Sequence, residues 1–163
     1  MFQRDLYLKQ LIEGKNDHLI KVITGIRRSG KSFLLNKIFK PYLLEKCEVK
    51  ERNIIQFDFD SMEDIQKLDN YLPQEPTTFQ KGSQNVINNR KFLRYISDHT
   101  NEKEFFYLLL DEIQNLDDFV RVLNGFLKHD NYDVYVTGSN SRFLSSEVDT
   151  EFRGRGRGYT YCP

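Results

Sequence analysis

The sequence predicts an α/β domain in three layers, a mostly parallel central sheet with helices on both faces. Three observations predict it. Apolar stretches of strand length alternate along the chain with stretches of helical period. One stretch, Phe105-Phe-Tyr-Leu-Leu-Leu110, is apolar without alternation, as expected of a central strand covered on both faces. A glycine-bearing loop, Gly25-Ile-Arg-Arg-Ser-Gly-Lys-Ser32, links the first strand to the helix after it.

The elements follow in order. Phe2 to Glu13 carries Phe2, Leu6, Leu8, Leu11 and Ile12 at roughly helical spacing, and Gly14 to Asp17 breaks it. Residues 1–17 are a helical lead-in. Leu19 to Thr24 reads as the first buried strand. Lys31 to about Glu45 reads as a helix with Leu34, Leu35, Ile38, Phe39 and Leu43 inward, its end blurred by Pro41. Asn53 to Asp60 reads as a second strand and Glu63 to Leu72 as a short helix. Pro73 to Ser83, polar and holding Pro73, Pro76 and Gly82, reads as a loop. Asn85 to Thr100 reads as a helix, as does Asp118 to Lys128, where Phe119, Val122, Leu123, Phe126 and Leu127 recur at helical intervals. Asp133 to Thr137 reads as a short strand closed by Gly138.

Composition bounds the function. The chain has 163 residues, which suits one domain with a real core. Lys+Arg and Asp+Glu both total 24, so no global field favours nucleic acid or a membrane surface. No apolar stretch approaches a membrane span, and the N-terminus lacks the apolar region of a signal peptide. Cys47 and Cys162 have no metal spacing and suggest no disulfide framework, so a cytoplasmic location is expected. His18, His99 and His129 are scattered without ligand spacing.

The loop carries the strongest chemistry. It matches the phosphate-binding pattern G-x4-G-K-[ST] at every fixed position. Gly25 and Gly30 can take backbone angles closed to other residues and leave room for phosphate oxygens. The amides between them can form a nest for an anion, and the following helix turns its positive end to the same place. Nucleotide contacts are therefore expected from Gly25, Ile26, Arg27, Arg28, Ser29, Gly30, Lys31, Ser32 and Phe33. Lys31 is the mobile point charge for the β- and γ-phosphates, and Ser32 offers a hard oxygen to Mg2+. Arg27 and Arg28 either add charge near the phosphates or point to solvent.

The apolar run Phe105 to Leu110 ends in Asp111-Glu112. A buried strand delivers these acids to its carboxyl end, the ligand-binding edge of open α/β sheets. Asp111 is expected to hold Mg2+ through water, and Glu112 to orient or polarise the water that attacks the γ-phosphate. The plainer alternative is that the pair opens a loop and caps a helix. Asp58 and Asp60 end another strand and are the weaker rivals, because Gln56 interrupts its apolar character.

GIRRSGKS, LLLDEIQ, VTGSNS and EFRGRGRG, in this order, resemble the ATPase domain of a prokaryotic AAA+ family known mainly as ATP-binding proteins. The resemblance runs from about Arg4 onward and implies a P-loop NTPase fold of AAA+/RecA-like type. GIRRSGKS and LLLDE correspond to its Walker A and Walker B elements. One candidate strand, Asn53 to Phe59, lies between the two in sequence; in additional-strand ATPases the two motif strands are separated in space by an extra strand. The base-reading N-K-x-D motif of GTPases is absent, so ATP with Mg2+ is expected. Val134 to Ser141 resembles a sensor 1 strand, which would bring Ser139 or Asn140 to the γ-phosphate or the attacking water; a turn cluster is the alternative.

An arginine after sensor 1 reaches a neighbour's γ-phosphate in multimeric relatives, a role the resemblance gives to Arg153 or Arg155, in trans or in cis. The same segment also reads as a basic tail for nucleic acid or as a solvated end. Arg4 and Tyr7 are candidates for the adenine pocket. Family members commonly continue into a C-terminal domain with winged-helix and nuclease-like parts. Against them the chain reads as one ATPase domain over residues 1–163, with residues 151–163 a truncated Arg/Gly tail. Its expected partners are nucleotide, the absent domain or a separate protein, and further copies of itself. The implied activity is Mg-dependent ATP hydrolysis that drives or gates that partner; the alternative is a nucleotide-gated binding module with negligible turnover.

Overall fold

A computed structural model describes residues 2–25, 30–139 and 156–160. Helix α1 spans Phe2–Glu13 and strand β1 Ile20–Gly25. The helical run after the loop has three parts: α2, Lys31–Phe33; a π-helical turn, Leu34–Phe39; and α3, Lys40–Glu45. Pro41 lies near the start of α3 and does not end the run. A proline inside a helix crowds the carbonyl four residues back, and the wider i→i−5 spacing just ahead of it, closed by Lys40 N–H on Leu35 O, accommodates the ring.

Strand β2 is Ile54–Asp58 and helix α4 Met62–Lys67, followed by a 3₁₀ turn at Leu68–Asn70. Two short antiparallel strands come next, β3 (Thr78–Lys81) and β4 (Gln84–Ile87), then helix α5 (Asn89–His99). The chain closes with β5 (Phe106–Asp111), α6 (Phe119–Phe126), β6 (Tyr132–Ser139) and β7 (Gly156–Thr160).

The main sheet has the order β2-β5-β6-β1-β7, and every pairing in it is parallel. Parallel strands present opposite faces by alternation, and β5 shows it. Phe106, Leu108 and Leu110 enter one core with Phe57, Phe92, Leu123 and Phe126, under α5 and α6. Tyr107 and Leu109 enter the other with Leu11, Leu34, Leu35, Phe39 and Leu43, under α1 and the helical run after the loop. Both faces are thus covered, and the three-layer expectation holds. The strand separating β1 from β5 is β6, whereas β2 lies at the far edge.

Three expectations change. The loop read across Pro73 to Ser83 contains β3, and the first residues assigned to a helix at Asn85 are strand β4. Cross-strand pairs Phe79↔Val86 and Thr78↔Ile87 fix the hairpin, and Gly82 at φ 64 makes its tight turn. The helix starts only after Asn88, whose side chain accepts from Arg90 N–H at 3.0 Å. Residues 156–160, expected within the Arg/Gly tail, form an edge strand on β1, with Arg157 in register with Lys21.

Candidate nucleotide-binding site

The carboxyl ends of β1, β5 and β6 lie side by side, with Gly25 in register with Ser139 and Leu110 with Val136. The backbone at this edge bends sharply. Gly30 takes φ 95 before the helical run, a left-handed conformation that favours glycine. Glu112 takes φ 55 as the chain leaves β5; for a residue with a Cβ this costs on the order of 1 kcal/mol, so the surroundings hold the side chain at the edge.

Ser32 Oγ donates to Asp111 Oδ2 at 3.0 Å, joining the end of the phosphate-binding motif to the acidic pair. Asp111 is buried. Its Oδ1 accepts from Thr137 Oγ1 at 2.8 Å, and Asn36 Nδ2 donates to its Oδ2 at 2.5 Å. Burial lifts the Asp111 carboxyl above the usual carboxylate range; the hydrogen bonds from Thr137, Asn36 and Ser32 oppose the rise, while the charge of Glu112 adds to it. A cation beside it would relieve that cost.

Lys31 is buried and folds back so that Nζ donates to Gly25 O at 2.8 Å. Burial lowers the ammonium below its ordinary value, and the nearby charges of Glu112 and Asp111 oppose the fall. Glu112 is held at one oxygen: Gln114 Nε2 donates to Oε2 at 2.5 Å and Ser139 Oγ at 3.2 Å. Its backbone N–H donates to Thr137 Oγ1 at 3.0 Å, so one hydroxyl on β6 fixes both acids at the end of β5.

Gly25, Gly30, Lys31, Ser32, Asp111, Glu112 and Ser139 therefore gather at one edge. Phe33 lies in the first turn after the loop and is exposed. Tyr7 packs, partly buried, on the core under α1. Ile26, Arg27, Arg28 and Ser29 lie outside the described residues, as do Asn140, Arg153 and Arg155. Of the rivals, Asp58 does reach the edge, in register with Asp111, while Asp60 N–H donates to Asp58 Oδ1 at 2.8 Å.

Sequence reasoning missed Thr137, Gln114 and Asn36. Asn36 had a usable signal, since it stands one helical turn after Ser32 on the same face. Thr137 had a weaker one, as the polar residue that follows the apolar run Val134-Tyr-Val136 on β6.

The donor set suits magnesium. A hydroxyl and a single carboxylate are hard oxygens, and Mg2+ in nucleotide sites keeps water and phosphate for its remaining positions. Among the described residues no group of three or more His, Cys, Asp or Glu side chains is placed to hold a metal by itself.

The comparisons with known proteins agree with this geometry. The model of an AAA domain family matches residues 17–163. An uncharacterized protein of Haemophilus influenzae is 34% identical over 156 residues, covering 95% of this chain and 34% of the relative. An uncharacterized protein of Methanocaldococcus jannaschii is 29% identical over 159 residues, covering 95% of this chain and 28% of the relative. The chain thus spans about a third of the length of the curated relatives it matches. In fold it resembles a chain of Drosophila ORC bound to DNA, with TM-score 0.58 at 11% identity, covering 100% of this chain and 91% of that one. A second neighbour is a DNA polymerase III gamma subunit-related protein of Thermotoga maritima, with TM-score 0.52 at 15% identity, covering 97% and 45%. Sheet order, motif geometry and the family match over nearly the whole chain converge: the chain belongs to the AAA family, as an AAA+ P-loop ATPase domain with an ATP-binding function.

Proposed function

We propose that this domain binds Mg-ATP at Gly25–Ser32 and hydrolyses its terminal phosphoanhydride, driving or gating an attached domain or partner protein in the cytoplasm. One observation carries the reading: Ser32 and Asp111, 79 residues apart in sequence, share a hydrogen bond at 3.0 Å. Strand β6 sets the spacing that brings the two motifs together. Ser32 and Asp111 would hold Mg2+, which when bound neutralises phosphate charge and orients the γ-phosphate.

The rest falls to the chain's own groups. Loop amides and the start of the helical run receive the triphosphate. Lys31 exchanges the Gly25 carbonyl for phosphate oxygens. Glu112 orients the attacking water and accepts its proton, with Ser139 beside it; Asn140 and one of Arg153 or Arg155 would complete the site at the γ-phosphate. The second reading, a nucleotide-gated binding module with negligible turnover, draws on Gln114 and Ser139, which together occupy Oε2 of Glu112. Hydrolysis that depends on assembly of several copies belongs to the first reading instead.

Two variants test the assignment. Glu112→Gln keeps ATP affinity, by titration calorimetry, and lowers phosphate release by about a hundredfold or more. Lys31→Ala weakens ATP binding by about tenfold or more, from loss of a charge-assisted contact. Equal turnover by wild type and Glu112→Gln would remove Glu112 from the chemistry. Turnover that rises with protein concentration separates assembly-dependent hydrolysis from the module, which binds tightly and turns over at no concentration.

A further inference from the structure

Asn36 lies within the π-helical turn Leu34–Phe39, and such wide turns are frequent at functional sites. Its Nδ2 donates to Asp111 Oδ2 at 2.5 Å and to Ser32 Oγ at 3.2 Å. Ser32 in turn donates to that same Oδ2. The amide nitrogen thus bridges the two oxygens assigned above to magnesium. A carboxylate can only accept, so the amide must turn its N–H side to the pair. Its other end is a separate observation: among the described residues Asn36 Oδ1 is buried and has no hydrogen-bond partner. Buried acceptors of this kind are rare in native proteins and ask for a reason.

We propose that Asn36 is a residue of the magnesium site, a reversible stand-in for the cation. In the metal-free protein its N–H group occupies the place between Ser32 and Asp111 and holds both oxygens in position. An N–H dipole pointed at a divalent cation is repelled, whereas an amide oxygen is a hard acceptor suited to magnesium or its bound water. Rotation of the amide when the ion arrives satisfies both conditions and gives the orphaned Oδ1 a donor. Asn36 thereby couples the state of the metal site to the helix that follows the phosphate loop. Alanine can neither donate to the empty pair nor accept from the filled site, and an ionised aspartate only accepts.

This inference rests on the Mg-ATP reading, and the test separates the two. Dissociation constants for ATP are measured by titration calorimetry in EDTA and again with excess MgCl2; their ratio is the metal's contribution. For wild type, magnesium tightens binding. Asn36→Ala leaves the EDTA value unchanged and cuts the magnesium contribution by about tenfold, as expected when a partner of a metal site is removed. Asn36→Asp weakens binding in EDTA, because a second carboxylate faces the phosphates, and enlarges the ratio. The opposite signs distinguish a metal-site residue from one that merely supports the helix, whose variants would lower both affinities together. If Asn36→Ala folds and shows the wild-type ratio, or if Asn36→Asp shows a smaller one, the proposal fails alone. If wild type binds no ATP, or binds it equally with and without magnesium, the reading beneath it fails as well.

Discussion

Two aspartates at the same edge illustrate how surroundings divide similar residues. Asp111 accepts from three side chains, whereas the Asp58 carboxylate accepts from the backbone N–H of Asp60. Burial, opposed by the hydrogen bond from the Asp60 amide and aided by the neighbouring charges of Asp111, Asp60 and Asp64, leaves the Asp58 carboxyl pushed up to about 6. A raised carboxyl binds its proton more tightly folded than unfolded, so this group's contribution to stability is present at low pH. It is lost as pH climbs from the ordinary value of 3.8 through about 6. Asp58→Asn should therefore be more stable than wild type at pH 7 without magnesium. The advantage should shrink as pH falls toward 4, and urea titrations across that range read it directly. The sequence made Asp58 a rival because both acids end strands. What it could not express is that strand order puts β6, with Thr137, beside β5, and leaves β2 at the edge.

At the scale of elements, legibility followed the number of faces that a segment buries. Strand β5 is covered on both sides and reads as a plain apolar run; the helical run from Lys31 to Glu45 reads from Leu34, Leu35, Phe39 and Leu43, all buried. The β3-β4 hairpin buries only Val86 and Ile87, so its composition is that of a loop, and its pairing comes from backbone bonds that the sequence does not display. Strand β7 hides in the same way, since alternating glycines promise freedom while the open edge of β1 supplies a ladder. The hairpin is tied to the connection between β5 and α6: Ile87 bridges Leu116, Asp117 N–H donates to Ile87 O at 2.9 Å, and Lys81 pairs with Asp117. Asn88 sets the boundary between hairpin and helix. It caps Arg90 N–H and donates to Glu75 Oε1 at 3.2 Å and Pro76 O at 3.0 Å. Asn88→Ala should cost about 1 kcal/mol or more, read from urea denaturation, with Asn88→Asp recovering the cap and not the donated bonds.

Across the whole molecule the sheet is polarised. Its carboxyl edge holds the groups proposed to handle nucleotide. Toward the amino ends of the same strands sits a buried ionic cluster with no role in that chemistry. Lys21 on β1 is fully buried and pairs with Asp133 on β6 at 2.5 Å and with Asp17 at 2.9 Å. Asp133 also accepts from Asn16 N–H at 3.0 Å and from Tyr135 Oη at 2.7 Å, and Lys21 Nζ lies 4.8 Å from the centre of the Tyr135 ring. The cluster pins the turn after α1 and locks β1 to β6, the same two strands whose far ends carry Gly25 and Ser139. Its geometry makes removal of one partner severe, because Asp133 would remain charged inside the protein. Lys21→Met should lower unfolding free energy by about 3 kcal/mol, the usual cost of stranding a buried charge. ATP affinity of the folded fraction should hold, since Lys21 touches nothing at the carboxyl edge. Lys21→Met with Asp133→Asn should recover part of the loss, because the stranded charge is gone. Urea denaturation and calorimetry on the same samples decide it. A fall in affinity matching the fall in stability would mean that the two ends of the sheet form one cooperative unit. Unchanged affinity would mean that one end secures the fold and leaves the other to bind nucleotide.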